Sequence, residues 1–264
     1  MTQYINGVNV VERDLRAPLL QIESTYRSFS AHGALQSAVP RFARAETTLH
    51  TLHARLAKID APPDAQQLRG RLLRFVDAEA ELAHELTLLA AFLPRFSTVL
   101  QPLAPADKQL QKALAAVPVP KPTSVPKAQL KAARAAYQSA VAAAAADQAA
   151  ALETYVGEIE KVQDGLRRLH PPPAMAPAYR TQLLTLTRVA GTGKALVTAL
   201  RAKKYAQVAM LDRQFQKAAT TSTSLSAQRE QIAAVKAYNA RVRAVDALAV
   251  GVDNERVRLQ KTLG

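Results

Sequence analysis

The sequence predicts an all-α protein: an antiparallel bundle of long helices, built from two similar helical modules joined by a proline-rich linker. Three observations carry that prediction. Apolar residues recur at spacings of three and four through almost the whole chain, the pattern of helices with one buried face. Glycine is scarce, nine residues in 264, while Ala, Leu, Arg, Gln and Val abound, a composition that favours helix. Finally, LHTLHARLAKIDAPPDAQQLRGRLL (49–73) and IEKVQDGLRRLHPPPAMAPAYRTQLL (159–184) each join two amphipathic runs through adjacent prolines. No stretch alternates with period two over a useful length, so no strand is assigned.

The first helix carries Ile5, Val8, Val11, Leu15, Leu19, Ile22, Tyr26 and Phe29, with a kink or break expected at Pro18 and a left-handed C-cap at Gly33. Pro40 suits the first turn of the next, whose seam is Phe42, Ala45, Leu49, Leu52, Leu56 and Ile59, coiled-coil-like in spacing. The hinge at 61–64 ends it and offers Asp64 as the following N-cap. A third helix with Leu68, Leu72, Phe75, Leu82, Leu86, Leu89 and Leu93 is expected to stop at Pro94, and a shorter one to occupy 95–116 with breaks at Pro102 and Pro105. Val117–Pro126 has four prolines in ten residues and reads as an extended connector.

Lys127–Leu169 is the longest uninterrupted segment, with Leu130, Tyr137, Val141, Leu152, Tyr155, Ile159, Val162 and Leu166 on its stripe. Alanine lines its first half, which would let a neighbouring helix approach closely. After the second hinge (171–173), Tyr179, Leu183, Leu186, Ala190, Gly193, Val197 and Leu200 repeat the seam. Val208, Leu211 and Phe215 follow, then the polar tract Thr220–Ser224, and a last helix bears Val242, Val245, Leu248, Val252 and Leu259. Whether 204–262 is one helix or two is left open by this pattern. The modules are thus 1–116 and 127–264, with 117–126 as linker. Aligning Pro62 with Pro172 pairs Leu49 with Ile159, Leu52 with Val162 and Leu56 with Leu166, as a duplication would.

Composition narrows the chemistry. With no cysteine there is no thiol catalysis, zinc–thiolate site or disulfide. The net charge of +14 is densest in 102–135 (six Lys/Arg against one Asp) and 171–215 (seven against one), so polyanions should bind non-specifically at low salt. Counted as an uninterrupted run, no apolar stretch reaches the roughly 18 residues of a membrane span, so no transmembrane segment is expected. MTQYINGVNVVERD has neither a basic start nor a continuous apolar core, so no signal peptide is expected either. The compartment is expected to be extracytoplasmic if Met1 is an added start, and the cytoplasm otherwise.

Few residues group as a site. Glu46, His50 and His53 share one sector of a helix, and two imidazoles with a carboxylate form a legitimate metal set. Glu81-Leu-Ala-His84 has the spacing used by di-iron bundles, but Thr192 and Ala195 stand in its place in the second module. The bland reading, boundary residues at the rim of a core, is preferred, and no metal or other cofactor is assigned. Gly191-Thr-Gly-Lys194 lacks the spacing of a phosphate loop and sits mid-helix, which fits small residues at a close helix crossing. No nucleophile with a base, and no facing carboxylate pair, is evident, so no catalytic residue is assigned and an enzyme is not expected. Arg167, Arg168, Arg201, Lys203 and Lys204 are the cations set out for anion contact; Arg229, Lys236 and Arg243 read as a solvated face.

The start Tyr4-Ile5-Asn6 to Asn9, the L-x-x-L/I runs before Pro-Pro hinges and the ending Tyr238-Asn-Ala-Arg241-Val242…Glu255-Arg-Val-Arg258-Leu259 resemble a group of Ala/Arg-rich, all-helical proteins of high-GC actinobacterial-type bacteria. Members of that group are often exported or lipid-anchored and have no assigned activity; this sequence departs from them in that no export signal is expected at Met1 and no cysteine stands among its residues to carry a lipid. The resemblance implies a helical fold and a cell-envelope setting, and no site. The expected function is a non-enzymatic interaction or scaffold protein with a protein partner or self-association. Its rivals are a polyanion-binding helical protein and a metal- or small-ligand-binding bundle.

Overall fold

In the computed structural model the described residues form α-helices joined by loops and three short 3-10 turns, with no strand. The structure describes residues 2–32, 35–122, 124–222 and 225–263, with side chains left undescribed at 2, 26–32, 35–36, 220–222, 225–235, 237 and 263. The helices are α1 (Thr2–His32), α2 (Leu35–Ala57), α3 (Gln66–Leu100), α4 (Leu103–Ala116), α5 (Leu130–Arg167), α6 (Ala176–Arg201), α7 (Tyr205–Ser222) and α8 (Leu225–Leu263). The expected C-cap at Gly33, the Thr223–Ser224 end of the polar tract and the side chains of Tyr26, Phe29 and Arg229 lie outside the described residues.

The chain divides into two compact units: 1–95 with 171–175 and 232–264, and 96–170 with 176–231. The boundaries therefore fall within α3 and α8, not at 117–126. The reason is packing: Val252 and Leu259 of α8 join the core formed by α1, α2 and α3. Proline-rich composition marks a segment that cannot be helical, which is a different property from marking where burial stops.

In the first unit the neighbouring helices run antiparallel. Arg55 donates to Asp14 at 2.9 Å, and the Cβ position of Gly7 lies 3.3 Å from Ile59, which sets α1 against α2. His84 Nδ1 meets Glu46 Oε1 at 2.9 Å, pairing α3 with α2. Arg71 donates to the Gly251 carbonyl at 3.1 Å and Arg241 pairs with Glu85, pairing α8 with α3. Arg256 to Glu12 closes α8 onto α1. The core inside this ring includes Val11, Phe42, Leu49, Leu56, Leu72 and Val76, each at most 2% exposed.

The expected seams are largely the buried ones, with instructive departures. Tyr4 is buried where the start of the stripe was placed at Ile5, which is 42% exposed. On α3 the buried row runs Leu68, Leu72, Val76, Ala80 and Ala83, leaving Phe75 half-buried at its edge. Pro40 is the sixth residue of α2 and not in its first turn, and α3 continues past Pro94 to Leu100. A proline removes one backbone hydrogen bond from a helix, but nearby burial holds the turn: buried Ala38 and Phe42 flank Pro40, and buried Ala90 and Phe92 precede Pro94. Pro18 likewise lies inside an unbroken α1. Asp64 caps nothing; Pro63 opens a 3-10 turn after an extended Pro62, where a missing N–H costs no bond. The two hinges use the same local turn, with Ala65 N–H donating to Pro62 O and Met175 N–H to Pro172 O, both at 2.9 Å.

Averaged over 18 residues, the helical run Pro63–Ala116 reaches a mean hydropathy of 1.3, so by length and composition it could cross a membrane. The average differs from the count of uninterrupted runs because averaging tolerates interspersed polar residues. Core helices of soluble proteins pass the same test when mostly buried, and 17% of this window is buried.

In the second unit α5 is the axis. α6 folds back along it through the second hinge, where Tyr179 donates its hydroxyl hydrogen to the Leu166 carbonyl at 2.9 Å, satisfying an acceptor of the last turn of α5. Lys194 to Glu160 and Arg201 to Glu153 continue the antiparallel pairing. Gly193 lets the two backbones approach: a Cβ there would stand 2.6 Å from Val156 Cγ2. α7 returns along α6 and sets Phe215 edge-on to Tyr155, centroids 5.9 Å apart at 86°. α4 lies on the other side of α5 and supplies buried Ala106 and Leu110.

Candidate functional site

The metal candidates are not gathered into a ligand set. Glu46 turns onto α3 and meets His84, while His50 is exposed and His53 half-buried. Among the described residues no group of three or more His, Asp or Glu side chains could hold a metal ion. Sharing an angular sector is insufficient here because Glu46, at the seam edge, is claimed by the neighbouring helix. Gly191 and Gly193 sit mid-helix in α6, and Lys194 is paired with Glu160. Only Gly193 serves the close crossing; a Cβ at Gly191 would meet nothing within 4 Å.

The cations set out for anion contact fall into two separated places. Arg167 and Arg168 lie at the C-terminal end of α5, and Arg167 is held by Asp164 at 2.9 Å. Arg201, Lys203 and Lys204 lie at the far end of α6, where Arg201 pairs with Glu153. Along α5, Glu153 and Arg168 are fifteen residues apart, about 22 Å at 1.5 Å per residue. An antiparallel hairpin thus separates what is only thirty-odd residues apart in sequence. Lys203 takes φ of 57°, and its N–H and that of Lys204 donate to the carbonyls of Leu200 and Ala199, ending α6 in a Schellman turn. Its position is fixed by the backbone turn.

A groove of about 740 Å³ runs between α5 and α6 over Val156, Gly157 and Val197. Its two cations, Lys194 and Arg201, are matched by the carboxylates of Glu160 and Glu153. It therefore offers no unbalanced charge. On the α4 side of α5, burial and the neighbouring Asp107, which accepts its hydroxyl hydrogen, push Tyr155 up and keep it neutral.

The feature that stands apart is the first part of α5. α6 ends level with Glu153, Ala113 of α4 lines a groove with Ala151, and burial along α5 continues back through Ala149 and Ala145 to Ala144. From Leu130 to Ala140 every side chain is exposed except Ala133, which is half-buried. Among the described residues of the second unit, the neighbour expected for this alanine-lined stretch covers Ala144 and Ala145 and does not reach Leu130–Ala140. Alanine explains how the segment stays helical without one, being the residue with the highest intrinsic helix propensity. Leu130 (53% exposed), Arg134, Tyr137 (39% exposed) and Val141 follow at spacings of four, three and four, forming one stripe. That stripe is the outward extension of the seam that is buried at Leu152, Tyr155 and Ile159. The adjoining connector presents Val119 at 80% exposure. From Val117 to Ala146 there are four cations (Lys121, Lys127, Lys131 and Arg134) and no carboxylate.

The apolar stripe expected over Leu130, Tyr137 and Val141 is exposed at the first two and half-buried at the third, within a stretch of acid-free basic composition. No protein-family model matches the chain, and no curated protein and no solved structure is significantly similar to it.

Proposed function

We propose that the chain is a non-enzymatic helical interaction protein, built of two similar modules, which docks an acidic amphipathic helix of a partner protein on the first part of α5. The observation that carries this reading is the exposed stripe Leu130–Arg134–Tyr137, continued by half-buried Val141. Tyr and Arg are the side chains most enriched where interfaces concentrate their binding energy, and two helices pack through such four- and three-residue ridges. Complementarity selects the occupant. Thirty residues with four cations and no carboxylate repel a second copy of themselves and favour carboxylates flanking an apolar stripe. The resemblance to exported helical proteins supports the cell envelope as its setting.

The test is a photo-crosslinking side chain placed at Tyr137 in the full chain, compared with one at Leu184, which is 68% exposed on α6. The expected result is a discrete protein adduct from position 137 alone, mapping to an acidic helical segment and lost on Lys131→Glu with Arg134→Glu. No adduct at 137, or equal adducts from both positions, would overturn the proposal. Crosslinks at 137 to nucleic acid or another polyanion would replace it with the polyanion-binding reading.

A further inference from the structure

We infer that the first unit holds a binding trough for a single-chain anionic amphiphile, between α1 and α8 over α3. The space is about 510 Å³. One end is polar and the other more apolar, with Arg13 and Arg16 along the α1 rim between them, and the antiparallel pairing of α1 with α8 sets that order. At one end, Asn9 and Glu12 of α1 face Asp253 and Arg256 of α8. Ten residues further along α1, about 15 Å at 1.5 Å per residue, Leu19 stands with Ala249 of α8 and with Leu72 and Phe75 of α3. Leu15, Leu72 and Val252 are buried in the core beneath, whereas Leu19, Phe75 and Ala249 remain half-exposed and form an apolar lining open to an occupant.

The sign of the polar group follows from the arginines of the rim. Glu12 and Asp253 share one guanidinium, that of Arg256, and with Arg13 and Arg16 the lining holds three arginines against two carboxylates. Arg13 and Arg16 stand exposed on the α1 rim. Arg13 has only Asp14 at 3.7 Å, and Arg16 makes no ion pair among the described residues. A carboxylate or phosphate head would lie against these two arginines with the alkyl tail running toward Leu19 and Phe75. Each hydrogen bond from a guanidinium to the head is of the charge-assisted, stronger kind. Sequence could not show this trough, since its two walls are about 240 residues apart.

The test is calorimetric titration of the full chain with dodecanoate and with dodecyl phosphate below their micelle concentrations, and with dodecyltrimethylammonium as the cationic counterpart. One-to-one binding of the anionic amphiphiles is expected, at least about tenfold tighter than the cation, the size of one charge-assisted hydrogen bond. The better of the two anions identifies the head as carboxylate or phosphate. Arg13→Glu with Arg16→Glu should reverse the preference, and Ala249→Phe, which fills the apolar end, should weaken both anions with helicity unchanged. If Ala249→Phe does not fold, the charge variant decides alone, because both arginines are exposed. Equal binding of both head signs, binding indifferent to these variants, or no binding of either anion overturns the inference.

Discussion

Glu79 of α3 offers the sharpest quantitative test of the packing of the first unit. It is half-buried, and burial, reinforced by the Asp246 carboxylate of α8, pushes its carboxyl from 4.5 up to about 7. The folded protein therefore holds a proton there between pH 4.5 and 7 that the unfolded chain releases. Stability is greatest below pH 4.5 and declines as the pH rises through 7, since the folded state must then ionise a group placed where charge is disfavoured. The step from 4.5 to about 7, at ~1.4 kcal/mol per pH unit, sets a ceiling of roughly 3 kcal/mol. Asp246 is exposed and solvent screens the pair, so about 1–2 kcal/mol is the expected effect. Glu79→Gln keeps the shape and removes the charge. Urea unfolding from pH 4.5 to 8.5 should show the variant equal to the parent at the acidic end and about 1–2 kcal/mol more stable at pH 8. Asp246→Asn should gain less, because burial is the larger cause. Curves for parent and Glu79→Gln that stay parallel across the range would refute the placement of Glu79 against α8.

Two further predictions concern the second unit. Gly193→Ala sets a Cβ 2.6 Å from Val156 Cγ2, and a buried β-branched side chain in a helix has no second rotamer to escape to, so a loss of about 1–2 kcal/mol is expected after the gain in helix propensity. Gly157→Ala on the partner helix meets nothing within 4 Å and should gain about 0.5–1 kcal/mol; melting curves shifted in the same direction would contradict the crossing geometry. Lys203 holds a left-handed φ of 57° at an exposed C-cap, so Lys203→Gly should stabilise by about 1 kcal/mol, while Lys203→Ala should leave the melting temperature unchanged. A gain from Ala equal to that from Gly would locate the effect in the lysine charge and not in the backbone.

How far the fold was legible depends on what kind of physics each feature rests on. Seams such as Phe42–Ala45–Leu49–Leu52–Leu56 are local statements, because the spacing that buries them is written in consecutive residues. Hinges are local too, since in 62–63 and 171–173 each proline disfavours the helical region for the proline before it, and Pro62 is extended with ψ of 160°. Pro40 and Pro94 are not: they obey the same backbone rule, but flanking burial outweighs one lost hydrogen bond, and that burial comes from other helices. The partner of α8 is wholly non-local. Val252 and Leu259 announce an apolar face without saying which bundle it covers, and in the structure they share a core with residues of α1, α2 and α3.

The same distinction governs the sites. Each of the five cations was visible as a residue, yet whether Arg167 and Arg201 could share a ligand depends on hairpin direction, which places them at opposite ends of α5 and α6. Exposure of the stripe on α5 depends on where α4 and α6 stop, a matter of relative helix length: α5 has 38 residues against 26 for α6 and 14 for α4. A helix longer than all of its companions must either unwind, end in solvent or meet something outside its own unit. Alanine removes the first outcome by making the free helix affordable, and Leu130 and Tyr137 make the second costly in exposed apolar surface. The third is what the stripe is fitted for, and the crosslink at Tyr137 asks whether it occurs.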